Sequence, residues 1–363
     1  MQRSVLLSPR GAVSRYSAVV VRRFAKKVAQ RNEALVLCSD LNGVRTLKMN
    51  NPRRFNAWTQ PMLQALNHEF QAAKIDSEVK VVVLTGVGEY YCAGVDLSAI
   101  LKPMHPQTLH DTIYEKNRQV FDTFLDFPKP LIAAVNGPAI GASVTTATLC
   151  DALLMSAGAT LSTPFARLNV PPEGCSSVHF AAVMGDSNAA RMLGPEGWQP
   201  TAAEAMDAGL AHRVVAFGKQ GDGDEDEVST PGMSAGESCP LLSESQALAE
   251  TWITHGRLHR SLPGIGSSSP DRMGAALAGS AAEAARASLA EYKVVNDRES
   301  KELAREFLGP GFIQAQIDFL TKKGKAKPAA AFKVLLALRP LWAMMLAPEA
   351  DVLRNKPVKP EVE

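Results

Sequence analysis

Three observations predict an α/β fold. Apolar runs of strand length alternate along the chain with longer segments of helical length. Two of those runs, VKVVVLT at 79–85 and LIAAV at 131–135, read as buried strands, and each leads into a turn holding glycine, Gly86 or Gly137. With 46% hydrophobic and 21% charged residues in 363, the chain has enough apolar surface for a sizeable core, and global disorder is excluded.

The elements follow in order. Residues 34–37 and 44–49 read as two strands joined by a hairpin-like turn, Asp40-Leu41-Asn42-Gly43. A helix is expected over 61–74, with Thr59 as its N-cap. The strand at 79–85 comes next, then a helix over 107–125, the strand at 131–135, a small-residue helix at 142–149 and a strand at 152–156. Residues 216–245 change character: from Gly218 on they are rich in Gly, Ser and acids and lack aromatics, so they read as a mobile surface insertion, and a second Gly/Ser/Pro-rich loop covers 263–270. Helices are expected at 280–291, 297–307 and 311–322. The apolar, basic tail after 327 is expected to be partly helical over 332–345 and docked on its own protein, with a membrane surface as the alternative and peripheral contact as its upper limit. The expected divisions are a leader (1–32), a core (33–215), the insertion (216–245), a helical region (246–327) and the tail (328–363).

Charge and cysteine content exclude several functions. Thirty-nine Lys and Arg against 37 Asp and Glu give a net charge of +2, which argues against a dedicated nucleic-acid binder. Five cysteines without a CxxC pair suit neither a disulfide scaffold nor a zinc ribbon. No uncharged apolar run reaches the ~18 residues of a membrane span. The acidic run at 222–227 reads as a solvated loop rather than a metal site, and no metal is expected. The leader holds no acid before Glu33, yet carries Arg3, Arg10, Arg15, Arg22, Arg23, Lys26, Lys27 and Arg31 among several serines. That composition reads as a mitochondrial transit peptide, a basic tail being the alternative.

Familiar catalytic signatures are missing. There is no GxxxxGK[ST] phosphate loop, Tyr91 occupies the third glycine position of a GxGxxG pattern, and HExxH does not occur; GMSAG at 232–236 matches GxSxG in letters but falls in a Gly/Ser-rich stretch, so there is no GxSxG elbow between a strand and a helix. Two glycine turns stand out instead: Tyr91-Cys92-Ala93-Gly94-Val95-Asp96-Leu97 and Asn136-Gly137-Pro138-Ala139-Ile140-Gly141-Ala142. Two backbone N–H groups aimed at one carbonyl oxygen would form an oxyanion hole. Tight turns that need glycine for backbone reasons alone are the other reading.

The two turns in context, VVVLTGVGEYYCAGVDL and then PKPLIAAVNGPAIGASVTTATLCDALLMSAGATLSTPFARLNVPPEG, resemble the enoyl-CoA hydratase/isomerase (crotonase) superfamily over about residues 34–327. The resemblance implies a spiral of ββα units with a C-terminal helical trimerisation region, an acyl-CoA substrate and a stabilised thioester enolate. It places the oxyanion donors at the amides of Ala93 and Ala142, with Gly141 as the fallback for the second. Family hydratases carry two glutamates at the positions of Thr145 and Phe165, and neither residue here exchanges protons as a carboxylate does. The segment Pro171-Pro172-Glu173-Gly174-Cys175-Ser176-Ser177 resembles the type 2, or peroxisomal, Δ3,Δ2-enoyl-CoA isomerases, in which a single glutamate is the base. Glu173 is thus expected to carry a proton from C2 to C4, with a pKa raised by an apolar setting. A helix-terminal acid is its alternative reading.

Further substrate contacts implied are Arg54, Ala57, Asp96, Leu97 and Phe165. Asp96 is expected to fix its loop by accepting backbone hydrogen bonds, Asp151 to be structural, and Phe127 either to line an acyl tunnel or to belong to the core. Lys322 and Lys323 lie where the family's terminal helix approaches the CoA phosphates of an adjacent subunit. No cofactor is implied beyond the coenzyme A of the substrate. A homotrimer or hexamer is implied, with no nucleic-acid partner. The leader, together with an end in Glu361-Val362-Glu363 rather than a Ser-Lys-Leu-type tripeptide, sets a mitochondrial expectation, with peroxisome or glycosome as the alternative. Thioester hydrolysis, hydration and an inert acyl-CoA-binding scaffold stay open beside isomerisation.

Overall fold

The computed structural model describes residues 34–96, 104–216, 239–260 and 280–353. The leader, Leu97, the acidic run, the loop at 263–270 and the last ten residues lie outside the described residues. Eight strands are described: β1 (Val36–Leu41), β2 (Val44–Met49), β3 (Val81–Gly86), β4 (Leu131–Val135), β5 (Ala139–Ile140), β6 (Ala152–Ser156), β7 (Leu161–Ser162) and β8 (Arg213–Val215). The helices are α1 (Gln60–Ile75), α2 (Pro106–Leu125), α3 (Ala142–Thr148), α4 (Phe165–Leu168), α5 (Ser176–Leu193), α6 (Ala202–Asp207), α7 (Pro240–Thr254), α8 (Ser280–Phe307), α9 (Pro310–Lys322), α10 (Ala326–Ala337) and α11 (Arg339–Trp342).

Six strands form one sheet in the order β1-β2-β3-β4-β6-β8, parallel except for the β1–β2 hairpin. β5 and β7 form a separate parallel pair. Pairing in the hairpin continues to Leu41 opposite Val44. The first strand therefore outlasts the expected 34–37, and the turn shrinks to Asn42-Gly43, both at positive φ, as a two-residue hairpin turn demands. Thr59 caps α1 by accepting from the Met62 amide.

The apolar runs are continuous because both sheet faces are buried. Leu47, Met49, Val82, Leu84, Ala133 and Met155 face one core with α1, α2 and α5. Val44, Val81, Val83, Ile132, Ala134 and Leu154 face a second core closed by Leu241, Leu248 and Trp252 of α7. Helix α7 thus starts inside the stretch read as insertion, so that stretch ends before Pro240. Its apolar face packs on the sheet, which composition alone did not reveal.

The two helices expected at 280–291 and 297–307 are one helix, α8. Val294, Val295 and Asn296, weak helix formers, lie between them. Tertiary bonds override them: Asn296 Nδ2 donates to the Arg118 carbonyl and to Asp122 Oδ1, both at 3.0 Å, tying α8 along α2. The boundary placed at 327/328 falls within α10. The tail is docked on its own protein: Phe332 packs with Phe165, Leu303, Phe312, Ile313 and Ile317, and buried Arg339 pairs with Asp351 at 2.6 Å. Among the described residues no single helix is long and apolar enough to cross a membrane.

Candidate active site

Strand-end geometry brings the two glycine turns together. Cys92 forms a parallel bridge with Ala139, and the Ile140 amide donates to the Cys92 carbonyl at 3.0 Å. Gly94 has φ +84°, and a Cβ there would lie 2.7 Å from the Ile140 carbonyl oxygen, so the approach requires glycine. Which amides stay free differs in part from expectation. The Ala93 amide donates to the Phe55 carbonyl at 2.9 Å and is therefore occupied; this corrects its expected role as a donor. The amide of Val95, in contrast, has no acceptor among the described residues, and Val95 is 42% exposed. In the second turn the Gly141 amide donates to the Ser162 carbonyl at 2.7 Å, which removes the fallback, while the Ala142 amide at the start of α3 has no described acceptor. Thr145 lies one turn into α3, fully buried, its hydroxyl donating to the Ala142 carbonyl at 3.0 Å.

Glu173 sits in the tight turn before α5. Gly174 and Cys175 both have positive φ, 65° and 67°. A Cβ on Gly174 would overlap the ring of Phe121, a fully buried residue of α2. Only 7% exposed, Glu173 accepts from Asn117 Nδ2 of α2 at 2.6 Å. Burial pushes its carboxyl pKa up from 4.5 to about 7; the Asn117 bond opposes that rise and the negative charge of Glu299 adds to it. The segment Gly174-Cys175 separates Glu173 from the first helical residue, so it is not a first-turn acid.

A second buried carboxyl, Glu299 of α8, accepts from the Cys175 amide at 2.6 Å, the Ser177 amide at 3.1 Å and the Ser177 hydroxyl. Its pKa is also raised to about 7 by burial, despite those donors. Nearby His179 is buried and neutral, its pKa lowered to about 4 by burial. Nε2 lies 2.9 Å from the Thr148 carbonyl, which only accepts, so Nε2 carries the proton and Nδ1 accepts from the Tyr292 hydroxyl at 2.9 Å.

The other expected contacts divide. Arg54, largely exposed, pairs with Asp96 at 2.9 Å, so a guanidinium is one partner of the Asp96 carboxylate. Ala57 is half-buried, its amide donating to the Arg54 carbonyl at 3.0 Å. Phe165 belongs to the hydrophobic cluster with Phe312 and Phe332, and Phe127 to the main core, edge-on to Phe70. Asp151 is structural, accepting from the Leu131 amide at 2.9 Å and from Arg260 at 3.0 Å. Lys322 and Lys323 are exposed. Sequence reading passed over Asn117, Glu299, Ser300 and His179, whose partners lie far along the chain. It also passed over Asn56, which lies in the RRFNA segment and is fully buried. Its Nδ2 donates to the Val87 and Tyr90 carbonyls at 3.0 and 2.8 Å, holding the loop that carries Arg54 and Ala57. Among the described residues no group of three or more His, Cys, Asp or Glu is placed to hold a metal.

Comparison with known proteins follows the same lines. Residues 40–220 match the family described as enoyl-CoA hydratase/isomerase. The mouse protein named enoyl-CoA delta isomerase 3, peroxisomal, is 37% identical over 194 residues, 53% of this chain and 60% of its own length. The human protein named enoyl-CoA delta isomerase 2 is 39% identical over 184 residues, 50% of this chain and 46% of its own. The chain thus spans about half to three-fifths of these two curated relatives. A crystal structure of an enoyl-CoA hydratase/isomerase from Pseudoalteromonas atlantica T6c superimposes with a TM-score of 0.58 at 24% identity, covering 79% of this chain and 97% of that one, which shows a shared fold.

Proposed function

The chain belongs to the enoyl-CoA hydratase/isomerase family, and from that premise we propose that it is a Δ3,Δ2-enoyl-CoA isomerase with Glu173 as its single base. The observation that carries this reading is a buried glutamate oriented by Asn117, with a pKa near 7. At neutral pH such a group is present in both forms, which suits a base that must also return the proton. Glu173 takes the proton from C2 of a 3-enoyl-CoA and delivers it to C4, while the double bond moves from C3=C4 to C2=C3. The dienolate oxygen formed in between accepts from the amides of Val95 and Ala142, which have no acceptor among the described residues. Hydration needs a second carboxylate, and the two family positions for one hold buried Thr145 and buried Phe165.

The test is conversion of 3-enoyl-CoA to trans-2-enoyl-CoA by the purified protein, with free CoA and 3-hydroxyacyl-CoA measured alongside. Full activity in Glu173→Gln would overturn the base assignment. Formation of 3-hydroxyacyl-CoA or free CoA without isomerisation would replace the reaction itself. Acyl-CoA binding without turnover would favour a scaffold. A homotrimer or hexamer is proposed, supported by exposed Val334, Leu338 and Leu341 on the C-terminal helices; light scattering checks it. The acid-free leader supports a mitochondrial address and the mouse relative's name a peroxisomal one; imaging with and without residues 1–32 decides between them.

A further inference from the structure

Helix α8 grips Glu173 from two sides where it crosses α2. The buried Ser300 hydroxyl donates to Asn117 Oδ1 at 2.8 Å, and Asn117 Nδ2 donates to Glu173 at 2.6 Å. A primary amide has a donor end and an acceptor end; the ionised carboxyl group only accepts and so takes the N–H end, and the Ser300 hydroxyl, donating to Oδ1, satisfies the other end in that orientation. With Ser300 in place the N–H end faces Glu173, which favours the ionised base. Without it Asn117 Oδ1 loses its donor, the N–H orientation is held less firmly, and the ionised form of Glu173 loses part of its support.

The preceding residue, Glu299, acts on the backbone. At 2% exposure, it accepts from the Cys175 and Ser177 amides and the Ser177 hydroxyl. Those amides close the turn that carries Glu173 and open α5, where a short αL stretch leaves donors that need an acceptor. Asn296, one helical turn earlier, locks the position of α8 on α2.

We infer that Glu299 and Ser300 are positioning residues for Glu173, one holding its turn and the other orienting the amide that binds its carboxyl group. This rests on the reading of Glu173 as the base. The charged and titratable groups around the turn are Glu299, Arg298 and Tyr292 on α8, Asp122 on α2, His179 on α5 and the Cys175 thiol in the turn itself. Glu299 is the one whose charge acts on Glu173.

The two residues push the titration of Glu173 in opposite directions, which a merely structural role would not do. The experiment follows the Glu173 carboxyl titration by ¹³C NMR in protein labelled at glutamate, the signal assigned with Glu173→Gln, together with the pH dependence of kcat/KM. Ser300→Ala is expected to raise the Glu173 midpoint by about half a pH unit or more, and Ser300→Thr, which keeps the hydroxyl, to restore it. Glu299→Gln removes a negative neighbour and is expected to lower it. Both Ser300→Ala and Glu299→Gln are expected to cut kcat about tenfold with KM within about twofold of wild type. An unmoved midpoint in both folded variants, shifts of the same sign, or a Ser300→Thr variant that behaves as Ser300→Ala would each overturn the inference. If the wild-type protein does not isomerise, the base assignment falls, while the NMR titration still decides whether α8 sets the carboxyl group.

Discussion

The two halves of the candidate site are built in different ways. The oxyanion side comes from two turns that follow β3 and β4, neighbouring strands; the Ile140 amide joins one turn to the other at Cys92, and the Gly141 amide ties the second turn to Ser162 of β7. The base side comes from a turn whose support is remote, supplied by Asn117 on α2 and by Glu299 and Ser300 on α8. The first half is therefore fixed by the spiral itself, and the second depends on how a C-terminal helix docks. Chemistry on the base side is thus open to tuning by substitutions that leave the oxyanion side untouched.

The largest effect that sharpens this contrast is chemical. Glu173→Gln is expected to reduce kcat by about 10²–10⁴-fold with the oxyanion side intact, checked by steady-state isomerase kinetics and by unchanged acyl-CoA binding. Gly94→Ala attacks the other half: with φ +84° and no room beside the Ile140 carbonyl, it is expected to displace the Val95 amide. Loss of one oxyanion donor costs about 10²–10³-fold in kcat. Gly174→Ala is expected to act on stability as well, because its methyl group would overlap Phe121 at positive φ. A loss of about 1–3 kcal/mol in denaturant unfolding is expected, with Gly94→Ala as the comparison.

Dependence on pH separates the halves again. Since the base must be ionised and its pKa is about 7, kcat/KM should fall about tenfold per unit below that value, while the amide donors do not titrate. Stability has its own sign. Glu173 and Glu299 both rise from 4.5 to about 7, so the folded state binds more protons than the unfolded state between those values. Their burial therefore costs progressively more as pH rises through that window. His179, lowered from 6.5 to about 4, works in the opposite sense, its neutral form favouring the fold as pH rises through that interval. Unfolding of Glu299→Gln across pH 4.5–7 should show a smaller decline than wild type. The smallest effect is expected for Arg54→Ala, which breaks an exposed pair with Asp96: under about 1 kcal/mol in stability, with any change in turnover confined to KM.

Much of this was legible from the chain before any fold. Period and run length located β4 and β6 to the residue, because strands buried on both faces write themselves as unbroken apolar runs. Thr59, the two glycine turns and Glu173 in its PEGCSS context were visible for the same kind of reason: each depends on neighbours a few residues away. Tertiary contact decided the rest. An amide is free or occupied according to what lies opposite it, so Phe55 claims Ala93, Ser162 claims Gly141, and among the described residues the Val95 and Ala142 amides are left without an acceptor. Helix α8 runs unbroken through Val294-Val295-Asn296 because α2 supplies acceptors for Asn296. The sequence by itself determined most of the strands, the turns and which carboxyl group is the candidate base, since local pattern and residue chemistry suffice for those. Only the tertiary structure decided which backbone amides remain open and what holds Glu173, because hydrogen-bond partners and burial are set by segments that sequence distance keeps apart.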